Sequence, residues 1–142
     1  MWNSETNQEI LAKWRQLRMQ LADKNIDQQV AAVAEFISKI PYGARCVDYH
    51  SPENWPTPWE ILAHRQFCSS SISILAYHTL NMVSDQELTL ELVDDGNDTY
   101  LVTVVNEQVI NYYPNEVISK EELANTATVL KVFGTSDIKP VR

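Results

Sequence analysis

The chain is short of the residues that would commit it to several common chemistries. It holds two cysteines, Cys46 and Cys68, among 142 residues. Two are too few for a disulfide framework or a four-thiolate zinc site. A reducing compartment, the cytoplasm, is the expected setting. Three glycines and no low-complexity run argue against a long linker or a disordered arm. Lysine and arginine number 11 against 19 acidic residues, a formal net charge of -8. Nucleic-acid binding needs clustered cations, which so acidic a chain does not favour. No apolar run nears the roughly 20 residues of a membrane helix. The start, M-W-N-S-E-T-N-Q-E, lacks the basic and apolar regions of a signal peptide. Neither nucleic acid nor membrane is therefore an expected partner. What remains is ordinary for a soluble globular protein: 44% hydrophobic and 21% charged residues. The length suits one domain over 1–142 with a real core.

One stretch organises the rest, from Trp55 to Met82. Thr57 is a good N-cap, Pro58 suits the first helical position, and Glu60 completes a capping box with Thr57. This helix has room for about two turns before His64-Arg65-Gln66-Phe67. Cys68 then opens a longer helix with Ile72, Leu75, Thr79 and Met82 on one side. Ser69, Ser70 and Ser71 offer hydroxyls to the unpaired N–H groups of its first turn. Two readings fit Cys68. At a helix N-terminus the dipole favours a thiolate, as for a nucleophile. Beside Phe67 and an Ile/Leu helix, a cysteine is more often a small buried hydrophobe.

Before this stretch, Ile10, Trp14, Leu17 and Leu21 recur at helical spacing over about Glu5 to Ala22. Asp27 can cap a second helix to about Ile40, with Val30, Val33, Phe36, Ile37 and Ile40 inward; Pro41 ends it. The two should pack as an antiparallel hairpin, 1–40. Tyr42 to Asn54 is a polar loop. After Met82 the period falls to two. Leu88, Leu90 and Leu92 alternate with polar neighbours, D-D-G-N-D at 94–98 turns the chain, and Tyr100 to Val105 returns. Val109 to Tyr113 is a third strand. Ser119 and Glu122 cap a short helix. Thr128 to Phe133 is a fourth strand, and a loose tail follows from Gly134. The fold class expected is α+β: a helical hairpin, then a cysteine helix packed on an antiparallel sheet of about four strands.

Three histidines are present, none after His78. With Asp48, the residues His50, His64 and His78 match no usual metal-ligand spacing, so no metal or other cofactor is expected. His78 lies ten residues after Cys68, about 15 Å along the helix axis. His64 precedes Cys68 by four, across a turn, and could approach the sulfur.

This order of elements resembles the papain-like transglutaminase core. There a nucleophilic cysteine heads a helix, a histidine lies near the start of a following strand, and Asp or Asn lies on the next. Y-G-A-R-C-V-D-Y-H-S-P-E-N-W-P-T-P-W-E-I-L, followed by C-S-S-S-I-S-I-L-A-Y-H-T-L, resembles the bacterial transglutaminase-like cysteine proteinases. Tyr42, Asp48, Trp55, Thr57, Pro58, Glu60, Leu62 and Cys68 fall in register with that family, over roughly residues 35 to 115. The resemblance implies calcium-dependent periplasmic proteases that release biofilm adhesins. The chain also resembles small relatives of this type from tailed phages, a resemblance that implies the host cytoplasm as its setting. Against the family pattern, Phe67, Ser69 and Ser70 stand where calcium-holding acidic residues flank the cysteine. Tyr100 stands in place of the strand histidine and Asn111 in place of the aspartate. Tyrosine, with a reference pKa near 10, is a poor base at neutral pH.

Three functions follow. The first is a degenerate site on a domain that works by binding a protein partner, as a phage accessory or host-interaction protein would. The second is a live cysteine peptidase or acyl-transfer enzyme pairing Cys68 with His64 or His50. The third is a structural or assembly protein. The first is preferred, because Cys68, Tyr100 and Asn111 occupy the triad positions without a histidine.

Overall fold

The structure is a computed structural model that describes residues 5–65, 67–114 and 116–141. The first four residues of the start read above, Gln66 before Cys68, Asn115, and Arg142 at the end of the tail lie outside the described residues. Among the described residues, five α-helices and five strands follow in the order α1 (Asn7–Leu21), α2 (Ile26–Ser38), α3 (Pro58–His64), α4 (Ser69–Val83), β1 (Leu88–Asp94), β2 (Thr99–Val105), β3 (Gln108–Ile110), β4 (Val117–Ser119), α5 (Lys120–Thr126) and β5 (Thr128–Phe133).

Three helices begin on reciprocal capping boxes with a side-chain oxygen at the cap: Thr6 with Glu9, Asn25 with Gln28, and Thr57 with Glu60. In each, one side chain satisfies the orphan N–H three residues on, and that residue's side chain reaches back. The second helix is capped by Asn25 rather than Asp27, so it starts two residues earlier than its spacing suggested. The helices α1 and α2 touch only lightly. Most of α1 packs on α3 and α4, and most of α2 on α4. The expected hairpin is thus two helices laid around a third.

That third element is α4, buried continuously from Ser70 to Leu80. A helix apolar or enclosed on all sides belongs at the centre of a domain. The sheet runs β4-β3-β2-β1-β5, with every neighbour antiparallel. Side chains alternate across it. Leu88, Leu90, Leu92, Leu101 and Val105 share the main core with α4, while Val93, Val102, Val104 and Val109 form a second cluster with Ile118 and Leu123. Polar groups stitch α4 to β2: Ser73 Oγ donates to the Leu101 carbonyl at 2.7 Å, and Thr103 Oγ1 donates to the Ser73 carbonyl at 2.7 Å.

The sheet has one more strand than the alternation suggested. Val117–Ser119 is only three residues long, too short for a period of two to register. The third strand ends at Ile110, not Tyr113, because Asn111 turns the chain with a φ of 72°. The tail from Gly134 is held rather than loose. Asp137 donates its N–H to the Gly134 carbonyl, and Ile138 is buried in the main core at 5% exposure.

Candidate functional site

The W-P-T-P-W-E-I-L stretch turns out to be architecture around the cysteine. Trp55 Nε1 donates to the Asp48 carbonyl at 2.7 Å, and its ring meets Phe133 edge-on at 4.9 Å. Thr57, Pro58 and Glu60 start α3, and Leu62 is fully buried. Asp48 closes its own turn, accepting from His50 N–H and Ser51 Oγ. Tyr49 ties the loop to both neighbours. Its hydroxyl donates to the Thr99 carbonyl at 3.1 Å and lies 2.9 Å from Ser70 Oγ.

The loop therefore runs beside the chain entering α4. Gly43 N–H donates to the Phe67 carbonyl at 2.9 Å, and Gly43 and Cys68 form a parallel bridge. Cys68 is the N-cap residue of α4, in extended conformation, with only 1% of its surface exposed. Its sulfur accepts the Ser71 N–H at 3.3 Å, and Ser71 Oγ accepts the Cys68 N–H at 2.9 Å. This is a capping box in which sulfur replaces the usual oxygen. A second thiol completes the setting. Cys46 Sγ donates to Cys68 Sγ at 3.1 Å.

These contacts split the two thiols. Burial works against ionisation of Cys68, but the bonds from Cys46 and Ser71 outweigh it and hold Cys68 below the ordinary thiol range. Burial of its sulfur and the contact with Cys68 push Cys46 up to about 11. Where a thiolate forms, it forms at Cys68. Cys46 carried no signal in the sequence beyond being the second cysteine, because nothing local links positions 22 apart.

A cleft of about 500 Å³ opens on this centre, bordered by Tyr42, Arg45, Tyr49, Cys68, Ser69 and Tyr100 among others. The Tyr100 ring packs with the second cluster, edge-on to Tyr112 at 6.3 Å. Burial and the charge of Asp95 raise its phenol further above the usual tyrosine value. Asn111 follows β3, next to β2. Its Nδ2 donates to the Ser69 carbonyl and to Ser73 Oγ, both at 2.8 Å. Both donor hydrogens of that amide are thus engaged by the first turns of α4. Asn111→Ala would lose both bonds and place a Cβ-bearing residue at positive φ without an amide to support it. The expected cost is about 2 kcal/mol, read by chemical denaturation.

No histidine borders the cleft among the described residues. His64 is exposed in the last turn of α3, and His50 is exposed beside Asp48. His78 is buried further along α4, edge-on to Tyr77 at 5.1 Å. Calcium needs six or more oxygen ligands, several of them carboxylates. Phe67, Ser69 and Ser70 supply none, and among the described residues no three His, Cys, Asp or Glu side chains come together to hold a metal. In the nearby hairpin one oxygen of each carboxylate accepts within its own turn: Asp94 Oδ1 from Gly96 N–H, Asp95 Oδ1 from Asn97 and Asp98 N–H, and Asp98 Oδ1 from Thr99 N–H. The residues beside Cys68 do not fit the ion.

No family model and no curated protein matches the sequence. Solved structures do. Calcium-bound LapG of Legionella pneumophila superposes with a TM-score of 0.76 at 17% identity, over 93% of this chain and 78% of LapG. A second LapG structure gives 0.77 at 17% identity, over 94% and 80%. EGTA-treated LapG gives 0.75 at 16% identity, over 94% and 77%. The fold of this chain is therefore that of LapG, a transglutaminase-like cysteine protease.

Proposed function

We propose that this chain is a transglutaminase-like domain whose Cys-His-Asp site is degenerate, and that it acts by binding another protein. A phage accessory or host-interaction role is the setting this reading favours. One observation carries it: among the described residues the cleft at Cys68 is bordered by no imidazole that could take the thiol proton. A tyrosine raised above its ordinary pKa is no substitute as a general base. What activates Cys68 is hydrogen bonding and the helix terminus, which favour thiolate but cannot return a proton to a leaving group. For protein binding, β5 is an edge strand with Val129, Leu130 and Val132 exposed. An edge of this kind presents unpaired backbone groups beside apolar side chains.

The test is a screen with thiol-directed activity probes and peptide substrates, comparing wild type with Cys68→Ala. Turnover of the wild type is expected at the level of the variant. Tyr100→His is expected to stay inactive, because the acidic residues that flank the family's cysteine are replaced here by Phe67, Ser69 and Ser70. Robust turnover that vanishes in Cys68→Ala would overturn the reading and return the base to His64 or His50.

A further inference from the structure

We propose that Cys46 and Cys68 form a peroxide-oxidisable dithiol, in which Cys68 is the oxidised thiol and Cys46 the resolving one. This stands apart from the proposed function, since it needs two thiols and neither a live nor a dead protease site.

The geometry comes first. The sulfurs are 3.1 Å apart, whereas a disulfide bond is about 2.05 Å long. Roughly one ångström of approach separates the two states. The movement falls to the Cys46 side. Ala44, Arg45 and Cys46 are exposed. Cys68 is held instead by the Ser71 box and by burial at the head of α4. The roles also separate chemically. The N–H of Ser71 and the Cys46 thiol both point at the Cys68 sulfur, so charge is favoured there. The cleft of about 500 Å³ gives a small peroxide a route to it.

The steps balance. The Cys68 thiolate attacks one oxygen of a hydroperoxide such as hydrogen peroxide. An S–O bond forms, the O–O bond breaks, and hydroxide leaves to be protonated to water. The Cys46 sulfur then attacks the sulfenic sulfur of Cys68. The S–S bond forms, the S–O bond breaks, and the departing hydroxide takes the Cys46 proton as a second water. Two thiols lose two electrons in all, and one peroxide is reduced to two waters. The bridge would pin the 42–54 loop to α4 and remove the Cys68 sulfur from nucleophilic chemistry at the cleft.

The experiment treats the full chain with hydrogen peroxide and follows intact mass and non-reduced peptide maps. The wild type is expected to lose two hydrogens, to show a Cys46–Cys68 linked peptide, and to recover both thiols on reduction with dithiothreitol. Cys46→Ser is expected to gain oxygen at Cys68 instead, and to form a dimedone adduct there. Cys46 is exposed, so this variant should fold like the wild type; circular dichroism checks that. Three outcomes would overturn the proposal. One is oxygen gain in the wild type equal to that in Cys46→Ser. Another is disulfide-linked dimers in place of the internal bridge. The third is retention of both thiols at a peroxide dose that fully oxidises dithiothreitol.

Discussion

The Trp14→Ala protein is expected to melt at least about 10 °C below the wild type. Trp14 has no exposed surface. Its indole N–H donates to Thr79 Oγ1 at 2.9 Å, which bonds α1 directly to the central helix. Trp59 of α3 meets the ring edge-on at 5.3 Å, and the Arg18 guanidinium lies 4.1 Å from its centroid. One side chain thus joins three helices. Truncation to alanine leaves a large void that rigid neighbours cannot fill, at a cost of about 3–5 kcal/mol. Trp14→Phe keeps most of the apolar volume and loses the N–H donor. Thr79 Oγ1 would still donate to the Leu75 carbonyl, so the smaller variant should lose much less, about 1–2 kcal/mol. Calorimetric melting of both variants checks the ordering. Equal melting temperatures for the alanine and wild-type proteins would show that α1 is not held through this ring.

Acid should weaken the protein before its carboxylates titrate, and His78 is the expected cause. The ring is 3% exposed, and no hydrogen-bond partner reaches its Nδ1 among the described residues. Burial lowers its pKa from 6.5 to about 4. The folded state therefore holds the ring neutral through a range where the unfolded chain binds a proton. The resulting stability is full above about pH 6.5 and declines as pH falls toward the folded value near 4. At about pH 5 the expected loss from this group is roughly 2 kcal/mol. The capping carboxylates Glu9 and Glu60 are held below their usual range by the hydrogen bonds from Thr6 and Thr57, so their contribution fades only at lower pH. Urea unfolding at neutral pH and near pH 5, for wild type and His78→Phe, separates the two. The variant should show a much flatter dependence in that interval. A parallel decline in both would assign the effect elsewhere.

Two hydrogen-bond systems show where reading the sequence succeeds and where it stops. The Thr57–Glu60 box spans three residues, so the spacing alone predicts the start of α3. The Cys68–Ser71 box also spans three residues. It was hidden because sulfur is not a usual cap, and the neighbouring serines looked like the capping groups. Asn111 is a harder case. Its place beside β2 follows from strand alternation, but its amide is directed at Ser69 and Ser73 by a positive φ that spacing does not signal. Tyr100 shows the same limit. Period two identifies the strand and leaves open which face meets the helix, a question the Leu101 side of β2 answers by packing on α4.

By itself the sequence determined the elements whose causes are local: caps three residues apart, helical and alternating apolar periods, and a proline after Ile40. Those interactions are made within a turn or between adjacent residues, so they are written at short range. Only the tertiary structure decided which distant groups meet. It brought Cys46 to Cys68, turned the Tyr100 ring toward Tyr112, buried Ile138, and added Val117–Ser119 to the sheet edge. The physical reason is that such contacts are not encoded at either partner. They follow from closing loops around one enclosed helix, and their geometry is set by the packing of the whole core.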